Sequence, residues 1–135
     1  GCEIAIASPK GFEPDYSIVE KAYKLASASS AKITITNDIK KAVEGADYLY
    51  TDVWVSMGQE KDSAKKKKAI AKYRIDDNLI KATGKNAKVL HCLPAHRGEE
   101  ITDEVMDGTN SIVFDEAENR LHCQKAIMCA LMGKK

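Results

Sequence analysis

Tyr48-Leu49-Tyr50-Thr51-Asp52-Val53-Trp54-Val55 and Lys88-Val89-Leu90-His91-Cys92-Leu93 are two strand-like runs, and each opens into a polar loop. The first continues through Ser56-Met57-Gly58, the second through Pro94. Working outward, Cys2 to Ser8, Lys32 to Thr36 and Ser111 to Phe114 also have strand character, the second being rich in β-branched residues. Helical patterns fill the intervals. They cover Asp15 to Ala28, a short piece from Asn37 or Asp38 that stops at Gly45, Asp62 to Tyr73, Asp76 to Ala82, Ile101 to Met106, and Ala117 to Met132. In the first of these, Ile18, Val19, Ala22, Leu25 and Ala26 fall on one face at the helical period. Strict alternation with short connections predicts an α/β fold, a three-layer α/β/α domain on a Rossmann-like parallel sheet of about five strands. Strand order does not follow from the pattern.

The chain has 135 residues, enough for one domain over 1–135 and too few for two. Its 44% hydrophobic and 30% charged content is ordinary for a globular protein, and a net charge of +1 gives no argument for a nucleic-acid or anionic-membrane partner, so none is expected. No apolar run approaches the ~20 residues of a membrane helix, and no secretory signal pattern is present. Lys65-Lys66-Lys67-Lys68 reads as a solvated helix face, because no stacking aromatics accompany it. The cysteines Cys2, Cys92, Cys123 and Cys129 form neither a Cys-x-x-Cys pair nor a disulfide ladder, which points to free thiols and a cytoplasmic location. A zinc site from His91, Cys92, His96, His122 and Cys123 is hard to close, since adjacent ligands on a strand point to opposite faces. No metal is expected.

Glycine-rich dinucleotide and phosphate loops, a Gly-x-Ser-x-Gly elbow and a His-Glu-x-x-His helix are all absent. The two runs instead gather a carboxylate (Asp52), a hydroxyl (Ser56), an imidazole (His91) and a thiol (Cys92) at strand ends, where parallel sheets hold ligands. Arg120 stands apart, after an acidic stretch. At a helix start a cation opposes the positive end of the dipole, a small argument for an anionic partner. Structural roles remain open for each: a turn former at Asp52, a core thiol at Cys92, a packed or hydrogen-bonded imidazole at His91, a core indole at Trp54. The unbroken apolar stretch Ala126 to Met132 fits either a tightly packed last helix or one covered by another domain or subunit.

Four elements occur in order: Ala7-Ser8-Pro9-Lys10-Gly11-Phe12-Glu13-Pro14, Asp52 through Gly58, His91-Cys92-Leu93-Pro94, and Glu118-Asn119-Arg120. Together they resemble the ornithine carbamoyltransferases, within the wider family that includes aspartate carbamoyltransferase. The resemblance implies transfer of a carbamoyl group from carbamoyl phosphate to the δ-amine of L-ornithine, giving citrulline and phosphate in arginine biosynthesis, with no cofactor. It implies that Asp52 and Ser56 hold the α-amino group and that the Met57 backbone helps with the carboxylate. It also places Cys92 beside the reacting amine, the Leu93 carbonyl on the carbamoyl NH₂, and Arg120 on carbamoyl phosphate. His91 and Pro94 would support these groups, and Gly58 to Ser63 would be a lid or hinge. The family's Ser-Thr-Arg-Thr and His-Pro-x-Gln motifs do not occur. The expectation is therefore the ornithine-binding half alone, without its carbamoyl-phosphate-binding N-terminal domain, the part through which the family forms trimers. Such a chain should be inactive by itself. The rival readings are a stand-alone amino-acid-binding or self-associating module, and a carbamoyltransferase for a related amine.

Overall fold

A computed structural model describes residues 1–54 and 63–133. Four strands and six α-helices are ordered β1 (Glu3–Ala7), α1 (Tyr16–Ser27), β2 (Lys32–Thr36), α2 (Ile39–Val43), β3 (Tyr48–Thr51), α3 (Ser63–Ile70), α4 (Asp77–Ala82), β4 (Lys88–His91), α5 (Asp103–Met106) and α6 (Val113–Met132). A 3₁₀ turn, Ala71–Tyr73, extends α3. The alternation is as expected. Helix starts follow local chemistry: the Asp15, Asp38 and Asp76 carboxylates and the Thr102 hydroxyl each accept from a backbone N–H of the first turn. Gly45, at φ +72, takes the left-handed conformation just after α2, and its N–H donates to the Thr83 carbonyl at 2.9 Å.

The sheet is smaller than the pattern predicts. Among the described residues β1 pairs in parallel with β2, and β3 in parallel with β4, as two separate two-stranded sheets. The expected fifth strand, Ser111 to Phe114, is reduced to a single parallel bridge between Ser111 and Val89. Val89 N donates to Asn110 O and Ile112 N to Val89 O, both at 2.9 Å, but α6 begins at Val113 and takes the rest of the segment. Asp115 and Glu116 in its first turn favour helix there. Strand β3 also stops early: the Val53 N–H turns onto its neighbour, the Asp52 carboxylate, at 2.6 Å.

The hydrophobic core lies against β3 and β4. Val89, Ile101 and Val113 are fully buried, packed with Leu49, Ile75, Ile80, Val105 and Met106. The β1–β2 pair is more open, with Ile4 and Ile6 exposed. Helix α1 buries a narrower stripe than its periodicity predicts. Val19, Ala22 and Ala26 turn inward, while Ile18 and Leu25 are exposed. Trp54 is only half-buried, a correction to the core role expected of it. Lys67, expected on a solvated face, instead bonds the Glu99 carboxylate at 2.6 Å and ties α3 to the loop after β4.

The last helix departs furthest from tight packing. From Phe114 to Met132 every residue except Glu116 is exposed, and Leu131 and Met132 are 81% and 80% accessible. The apolar stretch is thus uncovered. No described helix is long and apolar enough to cross a membrane.

Burial sets the expected stability response. Ile101→Ala should cost about 2–5 kcal/mol in urea unfolding, as for other large-to-small changes in a packed core, whereas Leu131→Ala should stay within about 0.5 kcal/mol.

Candidate functional site

Strands β3 and β4 run side by side in register, from Tyr48 opposite Lys88 to Thr51 opposite His91. Their carboxyl ends therefore deliver Asp52 and Cys92 to the same edge. The Cys92 thiol donates to Asp52 Oδ1 at 3.0 Å. Desolvation, followed by the Asp52 carboxylate, pushes the thiol pKa up. Cys92 is thus held as a neutral thiol, a poor nucleophile. The Tyr50 hydroxyl faces the same sulfur and the Glu116 carboxylate; burial first, then these neighbours, push its pKa up to about 12.

His91 and Cys92 turn to opposite sides, as neighbours on a strand must. The His91 ring is fully buried and bonds the equally buried Glu100 carboxylate through Nε2 at 3.0 Å. Its Nδ1 accepts the Leu93 N–H at 2.9 Å, so Nε2 carries the proton and donates it to Glu100. Glu100 Oε1 also accepts the His96 N–H at 2.6 Å. The imidazole thus serves as a structural bracket for the loop. Leu93 sits at φ +55, a left-handed conformation that costs a non-glycine residue about 1–2 kcal/mol, and the bond to His91 helps hold it there. The Leu93-Pro94 peptide is cis.

Arg120 joins these groups from α6. One cavity of about 590 Å³ is lined by Cys92, Leu93, Pro94, Arg97, Phe114 and Arg120, among others. A second, of about 560 Å³, is lined by Tyr50, Cys92, Asp115, Glu116, Asn119 and Arg120, among others. Because α6 begins at Val113, Arg120 lies about two turns inside it, at 3.6 residues per turn. The dipole argument for an anionic partner therefore lapses. A stronger ground replaces it. Arg97, also in the first cavity, is committed to Asp103 and Asp107 at 2.6–2.8 Å, and these carboxylates hold its pKa further above the ordinary value. Among the described residues no carboxylate lies within ion-pair distance of Arg120.

Asp52, Cys92, Leu93 and Arg120 are brought together, with His91 behind them and Pro94 exposed at the cavity rim. Ser56 and Met57, and the lid or hinge expected from Gly58 onward, lie outside the described residues up to position 62. Sequence reasoning missed Glu100 and Glu116. Glu100 had a usable signal, a carboxylate within the loop after a strand-end histidine; Glu116 looked like any acidic residue in a first helical turn. His96, Glu99 and Glu100 have ligand atoms within 4.8 Å of one another, but Glu99 is paired with Lys67 and Glu100 with His91.

Converging side chains at the carboxyl ends of paired parallel strands define a ligand-binding α/β domain. The chain belongs to the aspartate/ornithine carbamoyltransferase family: the profile for "Aspartate/ornithine carbamoyltransferase, Asp/Orn binding domain" matches residues 1–131. It is 51% identical over 135 residues to the ornithine carbamoyltransferase of Wolinella succinogenes, covering all of this chain and 44% of that protein. It is 47% identical over 133 residues to a catabolic ornithine carbamoyltransferase of Thermoplasma volcanium, covering 98% and 44%. The solved ornithine carbamoyltransferase of Pyrococcus furiosus superposes with a TM-score of 0.91 at 43% identity, over all of this chain and 44% of that one. The chain thus spans less than half the length of these relatives.

The Cys92–Asp52 contact sets a testable reactivity. Iodoacetamide labelling of Cys92, followed by peptide mass mapping against pH, should reach half its maximal rate above the ~8.5 of a free cysteine. In Asp52→Ala the midpoint should fall, because the carboxylate that disfavours thiolate is gone.

Proposed function

We propose that this chain is the amino-acid-binding half of an ornithine carbamoyltransferase, which transfers the carbamoyl group of carbamoyl phosphate to L-ornithine and releases citrulline and phosphate. The observation that carries the reading is the convergence of Asp52, Cys92 and Arg120: a 3.0 Å bond joins the first two, and one cavity takes in the last two. Asp52, with Ser56 and the Met57 backbone, holds the α-amino acid end. Cys92 contacts the reacting amine, the Leu93 carbonyl orients the carbamoyl NH₂, and Arg120 meets carbamoyl phosphate. His91 and Pro94 set the loop that presents Leu93.

The chemistry fits these groups. A δ-ammonium has a pKa near ~10.4 in water and must lose a proton before attack. An enclosed site favours its neutral form. The amine is the nucleophile, so a neutral Cys92 thiol suffices as a contact. Attack builds charge on the carbonyl oxygen as the bond to phosphate breaks, and a planar guanidinium suits both developing charges. No step calls for a cofactor.

In this reading residues 1–135 form one domain that works with a carbamoyl-phosphate-binding domain in a trimeric cytoplasmic enzyme. Four free thiols support a reducing compartment, and the relatives' greater length supports the second domain. The uncovered apolar residues of α6 suit a helix that this domain covers. The two ladders suit one Rossmann-like sheet ordered β2-β1-β3-β4, with residues 110–112 as a fifth strand beside β4. Its switch point would fall between β1 and β3, next to Asp52. Relatives include an ornithine carbamoyltransferase and one named catabolic; a role in arginine biosynthesis is our reading.

The test is citrulline formation. The two-domain enzyme should turn over, Arg120→Ala should lose about 10²–10³ in kcat, as when a stabiliser of developing charge is removed, and the 135-residue chain alone should yield none. Absence of transfer in the two-domain enzyme would overturn the assignment.

A further inference from the structure

We propose that Glu116 is a positioning residue of this site: it fixes the end of β4 against the turn of α6 that carries Arg120. The inference rests on the function proposed above. Glu116 Oε2 accepts the His91 backbone N–H at 3.1 Å across 25 positions of sequence. That N–H belongs to the residue just before Cys92. Between Phe114 and Met132, Glu116 is the one residue of α6 that is not exposed, so this bond is where the helix engages the site. Residues four apart share a helix face, which puts Glu116 directly below Arg120. Both line the cavity that also holds Tyr50 and Cys92.

The residue type suits a brace. A carboxylate beside a site for an anionic acyl phosphate repels the ligand, so Glu116 is ill suited to touch carbamoyl phosphate. It is well suited to accept a backbone N–H whose strand has ended. The bond thereby helps set the distance between Arg120 and the Cys92–Leu93 backbone, together with the Ile112 N–Val89 O bond and buried Val113 at the start of α6, and errors of about an ångström in such spacing are costly in catalysis.

The requirement is an oxygen acceptor, and the charge itself is dispensable. In the two-domain enzyme, Glu116→Ala should raise KM for carbamoyl phosphate about tenfold, the worth of one hydrogen bond to a charged group, with a smaller change for ornithine. It should also speed hydrogen exchange of the His91 amide. Glu116→Gln keeps an acceptor and removes the repulsion, so KM should be at or below that of the parent enzyme and the amide should stay protected. Parent-like KM in Glu116→Ala with a protected His91 amide would overturn the proposal, as would a tenfold rise in KM for Glu116→Gln. Should Glu116→Ala fail to fold, Glu116→Met, of similar size and without a strong acceptor, takes its place and should show the same rise in KM and faster His91 exchange. If the parent enzyme makes no citrulline, the functional reading fails, and His91 exchange in the two variants still decides whether the brace exists.

Discussion

The hydrogen bond between His91 and Glu100 joins two side chains with no solvent exposure, one ending β4 and one in the loop beyond it. Loss of Glu100 would leave the buried His91 Nε2–H unsatisfied, a penalty of about 1–3 kcal/mol. The pair therefore holds residues 91–100 to one course. Backbone bonds extend its reach: the Glu100 carbonyl accepts the Ile75 N–H at 2.9 Å, and Thr102 N donates back to Ile75 O at 3.1 Å. The loop is thereby sewn to the segment entering α4. With the imidazole facing inward, the next side chain must face outward, and Cys92 meets Asp52. The polar interior and the outward-facing site are two sides of the same backbone.

Charge is distributed with similar economy. Two arginines approach the first cavity, and one is neutralised by two aspartates while the other is not. Arg97 acts as a rivet between the loop and α5; among the described residues Arg120 has no carboxylate within ion-pair distance. Burial and the Asp52 carboxylate push the Cys92 thiol toward its protonated form. Glu116 completes the frame by joining strand to helix without contributing to ligand charge.

Most of the helices and four of the strands were legible because local chemistry sets them: Asp38 before α2, Thr102 before α5 and Gly45 after α2 are signals that the structure uses directly. The candidate site was legible as strand ends, and Asp52 and Cys92 do meet. What escaped was decided by tertiary geometry. Val113 and Phe114 have strand propensity, yet they lie in a helix whose acidic first turn outweighs it. Ile18 and Leu25 match the helical period, but the surface offered to α1 is narrow and only small residues reach it. Glu116 carries no distinguishing neighbours, and Glu100 only its place in the loop after a strand-end histidine; their importance comes from the particular N–H groups they meet across the fold.

The open flank of α6 bears on how the protein comes into being. An amphiphile with Ile127, Met128, Leu131 and Met132 in water will seek whatever greasy surface arrives first. If the matching surface sits on a segment of the same polypeptide, intramolecular closure outruns encounters between copies, because tethering raises local concentration into the millimolar range. In that case, severing the tether would leave the same helix open to chaperones and to its own kind.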